Sequence, residues 1–149
     1  MKPSDRLSLA THIAELRALQ LSRERATARR LAAASQAACK LERDTASRLE
    51  AIAQIGRSGT AAVTLSADLL RNLAGATDAM RDTWLTAAEH ACSAAEAVDA
   101  HRSTLERQQQ CADAADALVA AACVAARRAR DKADDAQLDA WLSARWRIA

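Results

Sequence analysis

The chain has no Phe and no Tyr, one Pro and three Gly among its 149 residues, and each shortage excludes something. Without the two commonest large aromatics, a thick globular core of this length has little to fill its centre. Strands would call for β-branched and aromatic residues, and turn-rich folds for Gly and Pro; the chain is poor in all of these. No apolar run approaches the roughly 20 residues that span a bilayer. The opening Met1-Lys2-Pro3-Ser4-Asp5 has no hydrophobic leader core, so a cytoplasmic location is expected. A net charge of +2 lacks the concentrated basic face of a dedicated nucleic-acid binder, so no nucleic-acid partner is expected.

What is present is alanine, by far the commonest residue, with scattered Leu and many Arg, Glu and Gln. These are the strongest helix formers, and alanine builds a thin seam between two close helices rather than a core. The expected fold is all-α: a long, elongated, antiparallel two-helix coiled-coil hairpin with a short broken tip, in one domain over 1–149.

Ser4 or Asp5 is a candidate first cap, with Pro3 just before it. Helical pattern runs without Gly or Pro to Ile55, about 51 residues or roughly 77 Å. Its second half suggests a seam of Leu31, Ala34, Ala38, Leu41, Thr45, Arg48, Ile52 and Ile55. In the first half Leu9, Ile13 and Leu16 form a stripe. The polar stretch Ser22 to Arg30 is either a loosened seam or a surface offered to a partner. Gly56-Arg57-Ser58-Gly59-Thr60 is a turn signal, so the first helix is expected over about 5–55 and the tip over about 56–75. Helix resumes near Thr64 or Ser66, where Ser66-Ala67-Asp68-Leu69-Leu70 resembles a capped start. Gly75 either ends a short tip helix or sits within a longer one.

The second long helix, about 76–145, has the clearer pattern. Alternating steps of four and three run from Leu73 through Thr77, Met80, Trp84, Ala87, Ala91, Ala94, Val98, His101, Leu105, Gln108, Ala112, Ala115, Val119, Ala122, Ala126, Ala129, Ala133 and Ala136 to Ala140. Seventeen of these twenty positions are apolar, the exceptions being Thr77, His101 and Gln108. A seam this long is the mark of a coiled coil. Residues 5–55 carry nine Lys/Arg against six Asp/Glu, and residues 66–126 four Arg against nine Asp/Glu. Opposite charge favours an intramolecular pairing of the two over a parallel dimer that sets like against like.

Pairing from a tip near residues 60–65 leaves the last ~23 residues as an overhang, by helical rise. It carries Arg127, Arg128, Arg130 and Lys132, then Leu138, Trp141, Leu142 and Trp146. Cations near a helix C-terminus fit the dipole, as Arg145 and Arg147 do. Exposed Trp141 and Trp146 are unusual without a partner and are the candidate partner contacts.

Catalytic chemistry is not expected. Two helices offer no converging pocket, and there is no P-loop, glycine-rich phosphate turn or HExxH. His90 and Cys92, two apart on a helix, point in different directions, and a zinc site at His101 would need ligands from the other helix. His101 and Gln108 read as polar register-setting residues in the seam. Cys39, Cys92, Cys111 and Cys123 read as buried reduced thiols acting as small apolar residues. No metal and no cofactor are expected.

Thr104-Leu105-Glu106-Arg107-Gln108-Gln109-Gln110, followed by an Ala-rich helix, then Arg127-Arg128-Ala129-Arg130-Asp131-Lys132 and Gln137-Leu138-Asp139-Ala140-Trp141, resembles the C-terminal half of the FliJ/YscO family. Those are the stalk proteins of flagellar and virulence type III secretion systems. At residue level the resemblance covers about 104–141; in length and order it covers nearly the whole chain. It implies a non-enzymatic stalk resembling the coiled-coil part of a rotary ATPase γ subunit. One copy inserts its terminal end into the pore of a hexameric secretion ATPase and couples it to the export gate protein, at the cytoplasmic side of the inner-membrane export apparatus. Secretion chaperones are further partners it implies. By position, Arg23, Arg25, Arg29, Arg30, Arg127, Arg128 and Arg130 would contact the ATPase, since adaptable surface charge suits one asymmetric rod meeting six equivalent subunits. Flagellar members present aromatic and apolar residues on the outer face of the distal coil. Here Phe and Tyr are absent and Trp84 falls on the seam, so gate binding by that surface is a point of departure. A virulence-type member is the narrower expectation. The alternative is a coiled-coil adaptor or chaperone-like protein of another bacterial system. A surface-coating amphipathic protein would need a wider apolar face than this alanine seam.

Overall fold

The computed structural model describes residues 2–62 and 66–146. They form two helices, α1 over Pro3–Ala62 and α2 over Ala67–Trp146, and no strand is present among them. The all-α helical hairpin is therefore the architecture. No helix is long and apolar enough to cross a membrane among the described residues.

The chain divides into two compact units, one of residues 1–25 with 104–149 and one of residues 26–103. Each is built from a piece of α1 and a piece of α2. In the first unit Leu7 lies by Ala126, and Arg25 reaches Gln109, so the two pieces run antiparallel. In the second, Gly56 lies against Leu73.

The α2 seam follows the sequence pattern closely. Every position from Leu73 to Ala129 is buried or half-buried, with Ala87, Ala91, Ala112, Ala115 and Ala126 fully so. The pattern then outlasts its partner: Ala133, Ala136 and Ala140 are exposed.

The α1 seam is a correction. Half-buried and buried positions run Leu7, Ala10, Ala14, Arg17, Leu21, Glu24, Ala28, Leu31, Ser35, Ala38, Glu42, Thr45, Leu49, Ile52 and Gly56, an unbroken alternation of three and four. Leu31, Ala38, Thr45 and Ile52 belong to it as expected. Ala34, Leu41, Arg48 and Ile55 do not; each is exposed, and its C-terminal neighbour takes the place. The stripe Leu9, Ile13 and Leu16 likewise lies outside the seam. The physical reason is continuity. Carried forward by the same steps, the Leu9–Leu16 stripe would bury Arg23 and Arg30, whereas the observed line meets Arg17 and Glu24, whose long stems cover apolar surface while the charge reaches water. Thr45 can be buried because its hydroxyl donates within its own helix, 2.9 Å from Leu41 O and 2.8 Å from Glu42 O.

The helix boundaries also shift. Pro3 is not ahead of the first helix but its first residue, where a missing N–H costs nothing. Asp5 N–H and Arg6 N–H bond Lys2 O, while Ser4 Oγ bonds only the Asp5 carboxylate. The expected break at 56–60 is helical, and α1 runs on to Ala62. Gly56 marks a close approach rather than a turn: a Cβ there would stand 3.0 Å from Leu73 Cδ2. Ser58 Oγ is satisfied inside the helix by Gln54 O at 2.7 Å. Gly75 lies within α2, with no atom within 4 Å of where its Cβ would stand, so it sits inside the longer helix; of the expected tip, residues 56–62 and 67–75 are helical, and residues 63–65 lie outside the described residues. Ser66 caps α2 as expected, its Oγ accepting from Leu69 N–H at 3.3 Å. Thr64 and Arg147 lie outside the described residues.

Candidate functional site

The first unit holds ten of the fifteen large apolar side chains that stand exposed among the described residues. Leu7 on α1 sits in a shallow depression with Ala126, Arg127 and Arg130 of α2, where Asp131 and Asp134 also line the wall. Arg127 and Arg130 are one helical turn apart, hence on one face. Arg128 is exposed and points elsewhere. Arg25 donates to Gln109 Oε1 at 2.6 Å, and Gln109 Nε2 donates to Asp113 Oδ1 at 2.8 Å.

These positions split the expected arginine set. Gln109, beside Arg25, and Arg127 lie on one continuous helix. Helical rise separates those two positions by about 27 Å. Arg23 and Arg25 therefore do not join Arg127 and Arg130 in one cluster. Arg29 and Arg30 belong to the second unit; both are exposed, with Arg30 Nε 3.5 Å from Ala26 O.

The overhang is shorter and differently charged than the sequence suggested. α1 begins beside residues 126–133, so Arg127, Arg128 and Arg130 flank the paired part. What extends beyond, among the described residues, is 135–146, all exposed, with Asp135 and Asp139 against Arg145. Arg127, Arg128, Arg130 and Lys132, expected to make that end basic, thus lie alongside the start of α1. Trp141 and Trp146 are both exposed, Trp146 to 83%, and the Arg145 guanidinium stands 5.2 Å over the Trp141 ring. That cation–π contact covers one face of Trp141.

The sequence already set Leu138 and Leu142 beside the tryptophans; what it missed is a groove on the paired part. Leu138 and Leu142 join the tryptophans in one stripe at i, i+3, i+4 and i+8. On the paired part, Leu9, Ile13, Leu118, Ala121 and Ala125 line a groove of about 550 Å³ with Pro3 and Arg6 at its end. Setting α1 in the phase of Leu7 and Leu21 would have found it, because Leu9, Ile13 and Leu16 then fall outside the seam.

Within the seam, Gln108 Oε1 and Trp84 Nε1 are buried without a hydrogen-bond partner among the described residues. His101 is half-buried there. Cys39 and Cys111 are half-buried, but Cys92 and Cys123 are exposed, against the expectation of four buried thiols; the seam's small positions are filled by alanine, and both fall beside it. No group of three or more His, Cys, Asp or Glu side chains able to hold a metal occurs among the described residues.

Compared with known proteins, the chain matches no family model, no curated protein and no solved structure.

Proposed function

We propose that this chain is a non-enzymatic stalk of a type III secretion apparatus, as its resemblance to the FliJ/YscO family implies. Its terminal end engages the pore of a hexameric secretion ATPase, and the chain links that ring to the export gate protein at the cytoplasmic side of the inner membrane. The carrying observation is the end of the first unit, where α2 outruns α1 and Arg127 and Arg130 stand together beside Leu7. Exposed guanidinium groups on a helical end suit contact with successive subunits of a ring, because charge acts at longer range than apolar fit. The alternative, an adaptor or chaperone-like coiled coil, draws on the exposed apolar groove of the same unit.

The test is to mix the purified chain with the cognate secretion ATPase and measure binding and turnover. Stimulated turnover is expected, reduced at least severalfold by Arg127→Ala with Arg130→Ala. Loss at those two positions with retention in Arg29→Ala would narrow the arginine set to the α2 pair. Absence of both binding and any change in turnover overturns the stalk reading.

A further inference from the structure

Ten of the large apolar side chains that stand exposed belong to the first unit, among them Leu9, Ile13, Leu118, Leu138, Trp141 and Trp146. They form two surfaces of different kind. One is the concave groove between Leu9 and Ile13 of α1 and Leu118, Ala121 and Ala125 of α2. The other is convex: the free helical tail of residues 135–146, with Leu138, Trp141, Leu142 and Trp146 along one side. Contiguous apolar surface of this kind marks interaction sites.

The two surfaces complement each other in charge. The paired part of the unit, residues 2–25 with 104–134, carries ten Lys/Arg against eight Asp/Glu; the tail of residues 135–146 carries Asp135 and Asp139 against Arg145. Arg6 lines the groove itself. Arg128 follows Leu118, Ala121 and Ala125 by the same alternating steps, so it flanks the groove on the α2 side. On the tail, Asp135 and Asp139 border the Leu/Trp stripe. The lengths are also similar: by helical rise the tail spans about 17 Å, and Pro3 to Ile13 of the groove about 15 Å.

The tail cannot reach its own groove, because α2 is helical without interruption to Trp146. It can reach the groove of another copy. We propose that two copies of this chain pair by exchanging tails, each laying its Leu138–Trp141–Leu142–Trp146 stripe into the Leu9/Ile13/Leu118 groove of the other. The exchange is reciprocal, so it closes as a two-fold dimer with both grooves filled. An amphipathic helix in an apolar groove is a common mode of recognition, read by anchors at just such spacings. Groove against groove would set Arg6 and Arg128 of one copy near those of the other, and tail against tail would oppose aspartates, so neither competes well. The acidic border of the tail also disfavours an anionic lipid surface. The inference does not rest on the secretion reading.

Light scattering or sedimentation of the full chain, from about 1 to 200 μM, tests it. A reversible monomer–dimer equilibrium is expected, with the tryptophan emission blue-shifted on association. Two full-chain variants separate the halves: Trp141→Asp with Leu142→Asp in the tail, and Ile13→Asp in the groove. All three positions are exposed, so circular dichroism should show both variants as helical as the parent. Each alone should associate at least tenfold more weakly. Mixed together, they should recover a heterodimer, since the groove variant's intact tail meets the tail variant's intact groove. A parent chain that stays monomeric throughout overturns the proposal. So does a dimer unaffected by either variant, a pair of weakened variants that mixing does not rescue, or association with anionic vesicles in place of self-association.

Discussion

At the scale of single residues, side-chain volume and hydrogen-bond satisfaction decide where polar and small groups sit. Gly75 has no atom within 4 Å of where a Cβ would be, in the interior of α2. Gly75→Ala should therefore stabilise the fold by about 1 kcal/mol, the helix-propensity difference, as read by chemical or thermal denaturation. Gly56→Ala should gain much less, because its Cβ would press on Leu73 Cδ2 at 3.0 Å and that side chain must move. A larger gain at Gly56 than at Gly75 would contradict that close approach. Gln108 makes a second case. Its Oε1 is buried without a partner among the described residues. Gln108→Leu removes this unsatisfied group and should stabilise by about 1 kcal/mol. A Gln108→Leu chain that is less stable than the parent would mean the amide has a role in register that outweighs its desolvation. Of these three positions, Gln108 was legible in the sequence as a seam residue. The two glycines were not, because their meaning depends on which atoms of the other helix come near.

At the scale of the helix, the sequence was legible where the seam is made of alternating apolar positions and misleading where it is not. On α2, Leu73, Met80, Trp84, Val98 and Leu105 fix the phase, and the structure keeps it through Ala129. On α1, the apolar choice at each step was wrong half the time: Leu41 and Ile55 look like seam residues, yet Glu42 and Gly56 hold those places. Local hydrophobicity could not report this, since the phase is set by continuity with Leu7 and Leu21 several turns earlier. Paired substitutions, compared by denaturant unfolding, test the phase directly. Leu41 is exposed, whereas Leu49 is half-buried on the observed seam. Leu41→Glu should change stability by no more than about 0.5 kcal/mol, the usual range for surface changes. Leu49→Glu should cost about 2 kcal/mol, because it places a carboxylate against α2. The reverse order would restore the first phase. The candidate site suffered from the same error: the groove beside Leu9 and Ile13 is invisible as long as those residues are assigned to the seam.

At the scale of the whole molecule, the consequence is a fold held by many thin contacts. Among the described residues, the fully buried apolar side chains are Leu21 and five alanines. An alanine in a seam excludes little water, so the apolar area removed on folding is small for the number of residues ordered. Two ion pairs, Glu50–Arg57 at 2.7 Å and Asp68–Arg71 at 3.1 Å, are exposed and each within one helix, so these two add little. Helical hydrogen bonds and propensity then carry an unusual share of stability. The heat capacity of unfolding tracks apolar surface exposed, because hydration of that surface is what raises it. Calorimetry on dilute chain, with copies kept apart, should therefore give a heat-capacity change per residue clearly below the roughly 12–15 cal/mol/K typical of compact domains. Far-ultraviolet dichroism should at the same time report a chain that is almost wholly helical. A heat-capacity change at or above the usual range would require apolar burial that the seam cannot supply. If it appeared only at high concentration, the extra surface would have to lie between copies, at the Leu/Trp tail and the Leu9–Leu118 groove.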